Sequence, residues 1–228
     1  MKNLETPIML INFKSYKEGT GKKALKLAKT VEKVKKITGV NICVSPQYTD
    51  LFMISRSVNI PIFAQHIDPI SFGASTGHVL PEAIKQVGAV GTIINHSEKQ
   101  LLLKDIESAV NIAKSLDLIS VVCCDTPKTS ASVSYFKPNF VSIEPPDLIG
   151  TGISVSKARP EAVLETVNIV KNVDSSTIIL CGAGITSGAD VEAALKLGAS
   201  GILVASGILK AKNPETVILD LAKAMKEN

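Results

Sequence analysis

The run Ile119-Ser120-Val121-Val122-Cys123-Cys124 is the stretch of the chain that most directly indicates its fold. It is apolar at nearly every position, which is typical of a strand covered on both faces in a parallel sheet flanked by helices. An antiparallel sheet with one wet face would instead alternate apolar and polar residues. The run therefore predicts an α/β protein built on a parallel sheet.

Similar β-like runs recur along the whole chain, and longer helical runs separate them. The eight predicted strands are Ile8–Phe13, Val40–Val44, Pro61–Gln65, Val90–Asn95, Ile119–Cys124, Phe140–Ile143, Thr177–Cys181 and Gly201–Val204. Eight βα units without a linker predict a single domain over residues 1–228, closed into a (β/α)8 barrel. An open doubly wound sheet is the alternative. Its Gly-rich dinucleotide fingerprint is missing from the first strand-to-helix turn, Asn12-Phe13-Lys14-Ser15-Tyr16.

The helical runs carry start and stop signals. Residues 21–37 place apolar side chains on one face and lysines on the other, as in an amphipathic helix. The pair Asn213-Pro214 is a good N-cap and first-turn combination. Gly39, Gly88 and Gly198 each follow a helical run and precede a strand, so each is predicted to end its helix in a left-handed conformation.

Composition excludes several classes of protein. The chain has 228 residues, a hydrophobic fraction of 45% and a net charge of +4, with lysines scattered among glutamates. No nucleic-acid or membrane-binding face is predicted, whereas a small anionic substrate is compatible with this charge. The apolar run Ile8–Ile11 is too short for a signal peptide or a membrane span, so we expect a cytoplasmic protein.

The cysteines lie in apolar runs without CxxC spacing and without a nearby histidine. They are Cys43, Cys123, Cys124 and Cys181. This pattern favours buried free thiols over metal ligands or a disulfide.

Polar residues at the carboxyl ends of the strands are the candidates for chemistry, because these ends meet at one face of a barrel. Asn12 and Lys14 end the first strand, and their side chains should point the same way at its rim. His96 follows the fourth strand. Ser97 and Gln100 predict a capping box there, which would place His96 beside a helix N-terminus and favour a neutral ring. A structural histidine is the alternative, and His66 and His78 are expected to be structural.

The stretch Val141-Ser142-Ile143-Glu144-Pro145-Pro146-Asp147-Leu148-Ile149-Gly150-Thr151-Gly152 fixes a carboxylate at a strand end. Two prolines forbid the strand from continuing past Glu144, since they lack a backbone donor. The following segment is closed by Gly150 and Gly152, whose conformational freedom suits a movable flap. A solvated glutamate before an ordinary Pro-rich turn is the other interpretation.

Small residues follow the last two strands. They occur in Cys181-Gly182-Ala183-Gly184-Ile185 and in Leu203-Val204-Ala205-Ser206-Gly207. Loops at these positions of a barrel often bind phosphate through backbone N–H groups. Tight turns packed for steric reasons have the same composition, so both interpretations stay open.

Taken together, three motifs resemble the triosephosphate isomerase family in order and in position at the strand ends. They are Asn12-x-Lys14, Asn95-His96-Ser97-Glu98 and Glu144-Pro145-Pro146-Asp147-Leu148-Ile149-Gly150-Thr151-Gly152. The resemblance covers nearly the whole chain, and the paired prolines and the run Cys181–Ile185 are similar to the compact archaeal branch. It implies a TIM barrel that interconverts dihydroxyacetone phosphate and D-glyceraldehyde 3-phosphate in glycolysis and gluconeogenesis. The family uses no metal and no organic cofactor.

The same resemblance implies roles for individual residues. Glu144 matches the base, His96 the electrophile and Lys14 the cation that steadies negative charge. The positions that match substrate-binding residues are Asn12, Lys14, Ile149, Gly150, Gly184, Ala205 and Ser206. The chain departs from the commoner Tyr-Gly-Gly-Ser pattern after strand 7, where a hydroxyl is lost, and from Gly-Gly after strand 8.

The resemblance also implies an oligomer. Phe72-Gly73-Ala74-Ser75-Thr76-Gly77 resembles the loop that reaches into a neighbouring subunit, and the archaeal branch implies a homotetramer, with a dimer as the alternative. Two rival functions remain at this point. One is a barrel aldolase that forms a Schiff base on a lysine such as Lys14, and the other is a catalytically silent barrel that binds phosphorylated metabolites.

Overall fold

The computed structural model describes residues 4–226, so the outermost five positions of the predicted domain, 1–3 and 227–228, lie outside the described residues. The strands are β1 Ile8–Asn12, β2 Asn41–Ser45, β3 Phe63–Ala64, β4 Gly91–Ile94, β5 Ile119–Cys124, β6 Phe140–Ile143, β7 Ile178–Cys181 and β8 Gly201–Val204. The α-helices are α1 Lys22–Thr38, α2 Tyr48–Ser55, α3 Pro81–Gln86, α4 Leu103–Ser115, α5 Pro127–Ser134, α6 Val155–Ala158, α7 Pro160–Val173, α8 Gly188–Lys196, α9 Ser206–Leu209 and α10 Pro214–Lys226. Short 3-10 turns lie at Lys17–Gly19 and Pro146–Leu148.

The strands form one parallel sheet that closes on itself. Its order is β2-β1-β8-β7-β6-β5-β4-β3, so every strand lies next to its sequence neighbours. The two ends of this order meet through a parallel bridge between Val44 and Ile62, beside a 3.1 Å hydrogen bond from Val44 N–H to the Pro61 carbonyl. The predicted (β/α)8 barrel is therefore confirmed over the open-sheet alternative.

Two predicted boundaries differ from the observed ones for clear reasons. Strand β3 has two residues instead of the predicted Pro61–Gln65, and Pro61 has no N–H to contribute to a ladder. The capping box predicted from Ser97 and Gln100 is wrong. Helix α4 begins at Leu103 after Leu102, without a side-chain cap, so His96 does not lie at its N-terminus.

The core has two apolar layers, one inside the barrel and one between strands and helices. The barrel interior is filled by Ile8, Leu10, Cys43, Phe63, Ile93, Ile119, Val121, Cys123, Phe140, Leu180 and Leu203. Gly91 makes room for the largest of these side chains. A Cβ at Gly91 would lie 2.3 Å from the Phe63 ring and 2.5 Å from the Ile119 carbonyl oxygen. Gly91 thus leaves one position of β4 without a side chain, and the Phe63 ring occupies that space.

Three other predictions are confirmed: the buried face of α1, the glycines that end helices, and the buried free cysteines. Helix α1 buries Ala24, Leu27, Ala28, Val31 and Val34. The terminating glycines, Gly39, Gly88 and Gly198, have φ values of 76°, 93° and 94°. All four cysteines are free and buried. Burial raises the pKa of Cys43, Cys124 and Cys181 to about 12. None of the helices in residues 4–226 is long and apolar enough to cross a membrane.

Candidate active site

A cavity opens at the carboxyl ends of the strands, and most of the predicted site residues line it. The lining consists of Lys14, Tyr16, His96, Glu144, Ile149, Gly150, Gly152, Gly182, Gly184, Ile185, Thr186, Leu203, Val204, Ala205 and Ser206. Residues from β1, β4, β6, β7 and β8 and the following loops thus converge on one space. Asn12 is the predicted site residue that lies just outside this lining.

Glu144 directly follows β6 and is 2% exposed. Its backbone N–H donates to the Cys124 carbonyl at 2.7 Å, so the end of β6 is held against β5. The side chain passes over Gly182, where an added Cβ would lie 2.2 Å from Glu144 Cγ. Within the described residues, Oε1 has no hydrogen-bond partner, whereas Oε2 lies 3.4 Å from His96 Nε2. The carboxylate is therefore held beside His96, and one of its oxygens stays unpaired among the described residues.

His96 is buried beside Glu144 and is oriented by the turn that follows β4. Its Nδ1 accepts a hydrogen bond from the Glu98 backbone N–H at 3.2 Å. A ring nitrogen that accepts carries no proton, so the proton of the neutral ring lies on Nε2, which faces the cavity and Glu144. The turn itself is fixed by Asn95, which has φ 60°. Its side chain donates to the Cys123 carbonyl at 2.9 Å and accepts from Leu101 N–H at 2.9 Å.

Lys14 is 8% exposed and has φ 47°, a left-handed conformation that is uncommon for a residue with a side chain. Three neighbouring side chains hold its backbone in this conformation. Asn12 Oδ1 accepts the Lys14 N–H at 2.9 Å, and the Lys14 carbonyl accepts from Gln47 and Gln65 at 2.7 and 3.0 Å. A strained backbone that its surroundings fix in this way is characteristic of functional sites.

The Lys14 ammonium forms an ion pair with Glu98, at 2.9 Å between Nζ and Oε1. The turn after β4 therefore orients His96 through its backbone and Lys14 through its side chain. Asn12 lies beneath Lys14 with Oδ1 already engaged, so its Nδ2 group is the part that can face a ligand. The three predicted chemical groups are thus assembled by contacts between β1, β4 and β6.

This arrangement supplies the groups for moving a proton next to a carbonyl. Such a reaction needs a base within reach of a C–H bond and a donor where negative charge develops on oxygen. Glu144 supplies a carboxylate, His96 a neutral N–H donor and Lys14 a positive charge, all facing one cavity. Burial of these groups strengthens their electrostatic interactions relative to those in water.

The segment after Glu144 forms a flap over the cavity, which we define as residues 145–154. Leu148 is its anchor, because it is buried against Ile143, Val155, Cys181 and Ala183. Its tip turns at Gly150 and Gly152, whose φ values of 76° and 78° are in the left-handed region that favours glycine. The Arg159 guanidinium pairs with both carboxylate oxygens of Asp147, which ties the beginning of the flap to the residue after α6.

The loops after β7 and β8 line the same cavity as Lys14, His96 and Glu144. Gly184 has φ 70°, and a Cβ there would lie 1.9 Å from the Ile153 carbonyl oxygen, so the loop packs directly against the flap. Ala205 and Ser206 lead into α9, whose first N–H groups have no acceptor within the helix. Gly184 is explained by tight packing against the flap. The backbone donors at Ser206 are compatible with phosphate binding, so that interpretation stays a prediction.

Several site residues were missed by reasoning from the sequence. Glu98 lies inside a quoted motif, but its contact with Lys14 spans 84 positions of chain. Gly182 lies in the small-residue loop, where its need for space comes from Glu144 rather than from an anion. Tyr16 and Thr186 line the cavity without any local signal. Across the described part of the chain, no cluster of three or more His, Cys, Asp or Glu residues is arranged to hold a metal ion.

Comparison with known proteins gives a consistent result. Residues 7–225 match a family model described as "Triosephosphate isomerase". The chain is 52% identical over 217 residues to a triosephosphate isomerase of Methanobacterium bryantii, covering 95% of this chain and 96% of the relative. It is also 52% identical over 216 residues to that of Methanocaldococcus jannaschii, covering 95% and 99%. The identity with that of Methanosarcina acetivorans is 44% over 218 residues, covering 96% and 98%.

Proposed function

Because the chain belongs to the triosephosphate isomerase family, we propose that it interconverts dihydroxyacetone phosphate and D-glyceraldehyde 3-phosphate at the cavity described above. The observation that carries this proposal is the approach of Glu144 Oε2 to His96 Nε2 at 3.4 Å, with Lys14 lining the same cavity. A base, a neutral donor and a cation then surround one small substrate.

In this mechanism Glu144 takes the proton from the carbon next to the carbonyl and returns it to the neighbouring carbon. His96 Nε2–H donates to the carbonyl oxygen as negative charge develops there, and the same ring passes the hydroxyl proton from one oxygen of the enediolate to the other. Lys14 stabilises the negative charge of this enediolate. No step requires a cofactor, because the carbon skeleton and its oxidation level overall are unchanged. Closing the flap over this intermediate excludes water, which suppresses the loss of phosphate and strengthens the interactions inside.

Substrate binding is assigned to the surrounding loops as part of the same proposal. Backbone groups of Gly184, Ala205 and Ser206 bind the phosphate, and Ile149 and Gly150 of the flap cover the substrate. Asn12 contributes its Nδ2 group below Lys14. Loss of the family's serine hydroxyl after strand 7 leaves the backbone donors of the loop for the phosphate.

The position of Lys14 does not favour a Schiff-base aldolase. Its ammonium is ion-paired with Glu98 at 2.9 Å, which suits stabilisation of negative charge, whereas a Schiff base needs a neutral amine. Borohydride reduction in the presence of dihydroxyacetone phosphate is expected to leave Lys14 unmodified. A covalent adduct at Lys14 would contradict the isomerase mechanism.

The experiment that tests the proposal is a coupled isomerase assay on the wild type and on Glu144→Gln. The amide keeps the size of the side chain but cannot act as the base. We expect kcat to fall by about 10² to 10⁴-fold, the contribution typical of a positioned acid–base group. Glu161→Gln, an exposed substitution at the start of α7, serves as the control and should keep full activity. Equal rates for Glu144→Gln and the wild type would remove Glu144 from the mechanism.

We further propose a single cytoplasmic domain over residues 1–228 that assembles into a homotetramer, with a dimer as the alternative. The buried free cysteines suit a reducing compartment. Phe72 supports assembly, because it is 69% exposed at the tip of the loop that resembles an intersubunit contact. Sedimentation equilibrium gives the number of subunits directly, and a monomeric mass would contradict this proposal.

A further inference from the structure

Asp190 is a buried carboxylate that joins two segments around the cavity. It lies in the first turn of α8 and is 3% exposed. Its Oδ2 accepts four hydrogen bonds from the loop after β7: from Thr186 N–H and Oγ1 at 3.0 and 3.2 Å, and from Ser187 N–H and Oγ at 2.9 and 2.9 Å. Its Oδ1 lies 2.7 Å from the Lys157 ammonium of α6.

The contacts of Asp190 go beyond those of a helix cap. A capping box explains the Ser187 bonds, since Ser187 precedes α8 and Asp190 is its third residue. It does not explain why Lys157 reaches the other oxygen from a different element. Nor does it explain why Ser156 Oγ donates to the Asp190 carbonyl at 3.0 Å. Both additional contacts come from α6, which directly follows the flap.

The groups around Asp190 favour the charged form of its carboxylate. Burial alone would raise the pKa of Asp190, but the Lys157 ammonium and the donors of Thr186 and Ser187 outweigh it and hold that pKa well below its usual value. The charged carboxylate therefore binds both segments throughout the working pH range.

The two segments that Asp190 joins both contact the cavity. Thr186 lines it, and a Cβ at Gly152 of the flap would lie 4.0 Å from Thr186 Cγ2. The downstream end of the flap also bonds the same loop, because Val155 N–H donates to the Ala183 carbonyl at 3.1 Å. Contacts therefore link α6 and the downstream end of the flap to the loop that carries Gly184 and Thr186.

We propose that Asp190 is a positioning residue, which couples closure of the flap to binding of the substrate phosphate by the loop after β7. Oδ2 holds the loop backbone in its anion-binding shape, while Oδ1 holds the downstream end of the flap through Lys157. This inference rests on the proposed function for its substrate, but the junction itself rests on the contacts above.

Lys157→Met is the informative variant, because Lys157 is half-exposed and its replacement removes the ion pair without leaving a hole in the core. Lys157→Arg restores the charge and is the rescue variant. The matched control is Lys196→Met, which breaks an exposed Lys196–Glu192 pair within α8 and changes the net charge equally. Asp190→Asn adds a second test of the carboxylate itself.

Three readouts separate positioning from simple stabilisation. For Lys157→Met we expect kcat/KM for glyceraldehyde 3-phosphate to fall about fivefold, which is at the lower end of the factors by which coupled sites change each other's affinity. The Kd of inorganic phosphate, measured by calorimetry, should rise by a similar factor. Deuterium exchange next to the carbonyl of unphosphorylated glyceraldehyde, followed by NMR in D2O, should be unchanged, because that substrate does not use the anion site. Lys157→Arg and Lys196→Met should match the wild type.

Two outcomes would overturn the inference. The first is a phosphate Kd and a kcat/KM that stay at wild-type values in Lys157→Met and Asp190→Asn. The second is an equal loss on the phosphorylated and unphosphorylated substrates, which would mean general destabilisation. If the wild type fails to isomerise the triose phosphate, the proposed function fails, whereas the phosphate Kd values still decide the role of Asp190.

Discussion

At the scale of single residues, the site depends on uncommon backbone conformations and on a glycine that leaves room for a neighbouring side chain. Two of the four non-glycine residues with positive φ in the described part of the chain are Lys14, which lines the cavity, and Asn95, which fixes the turn that carries His96. Such conformations cost about 1–3 kcal/mol each and persist where surrounding contacts fix them. Gly182 contributes by having no Cβ, so that Glu144 can lie across it.

The substitution Gly182→Ala tests whether Glu144 needs the space that the glycine leaves free. The added methyl group would lie 2.2 Å from Glu144 Cγ, so the carboxylate must move away from its place beside His96. We expect kcat to fall about a hundredfold, as for other small displacements of a catalytic group. Steady-state kinetics in the coupled assay measure the loss.

A double-mutant cycle gives the control for Gly182→Ala. In a Glu144→Ala background the clash is absent, so the same substitution should lower the free energy of unfolding much less. Urea denaturation of the four proteins gives the coupling, for which contacting residues typically show about 0.5–3 kcal/mol. Additive effects would mean that the two residues do not compete for space.

The sequence was sufficient to predict that Glu144, His96 and Lys14 lie at one cavity, but it did not reveal the contacts that hold them there. Glu144, His96 and Lys14 follow strands that end at one face, so residue type and position were sufficient to bring them to one cavity. Glu98 and Asp190 act through contacts with distant segments, to Lys14 and Lys157 respectively. Contacts of this kind leave no local pattern, because the fold rather than the sequence neighbourhood brings the partners together.

At the scale of elements, periodicity predicted the strands and helices well and their boundaries less well. Each strand was found, although β3 is cut to Phe63–Ala64 beside Pro61. The start of α4 was predicted too early, because Ser97 and Gln100 have the composition of a capping box. Asn95 instead bonds Leu101 N–H and holds residues 96–100 as a turn, which a pattern of caps does not reveal.

Gly91→Ala tests the packing of β4 against the barrel interior. The new Cβ would lie 2.3 Å from the Phe63 ring and 2.5 Å from the Ile119 carbonyl oxygen, a side chain and a backbone that are both fixed. We expect the free energy of unfolding to fall by about 3 kcal/mol, the upper part of the range for overpacking. Urea denaturation monitored by circular dichroism measures the change.

Gly21→Ala is the comparison for Gly91→Ala. Gly21 has φ 60° and no heavy atom within 4 Å of an added Cβ, so substitution there adds backbone strain without a clash. It should cost about 1–2 kcal/mol. A loss at Gly91 no larger than that at Gly21 would contradict the packing argument.

At the scale of the whole molecule, buried ionisable groups make stability depend on pH. His66 is 2% exposed, and its Nε2 lies 3.0 Å from Asp68 Oδ1. Burial lowers the pKa of His66 from its usual 6.5, and the neighbouring carboxylate opposes this only in part. The unfolded chain therefore binds the proton more readily than the folded protein does.

The sign of this dependence follows from proton linkage. Below pH 6.5 the unfolded state takes up more protons at His66, so the folded state should lose stability as the pH falls from 6.5 towards 5. From about one pH unit above 6.5, His66 is almost entirely neutral in both states and contributes almost no slope. The limiting slope for one proton is about 1.4 kcal/mol per pH unit.

His66→Gln should remove this slope while keeping an amide donor for Asp68. Urea denaturation between pH 5 and 7.5, at one protein concentration, compares the two proteins. His78→Gln is the control, because His78 lies in an exposed loop. A slope that persists in His66→Gln would assign the effect to another group.

The extent of pairing between neighbouring strands differs around the barrel. Most neighbouring strands pair over several residues. The contact of β7 with β8 is a single pair, Cys181 with Ile202, and β2 and β3 meet at the bridge between Val44 and Ile62, where Pro61 contributes no N–H. Local opening should cost least at this joint, and amide exchange should be fastest there among the strand contacts. Counted around the ring, the joint lies across from the contact of β6 with β7, where Glu144 rests on Gly182. Local opening between β2 and β3 should therefore leave the contact between Glu144 and Gly182 unchanged.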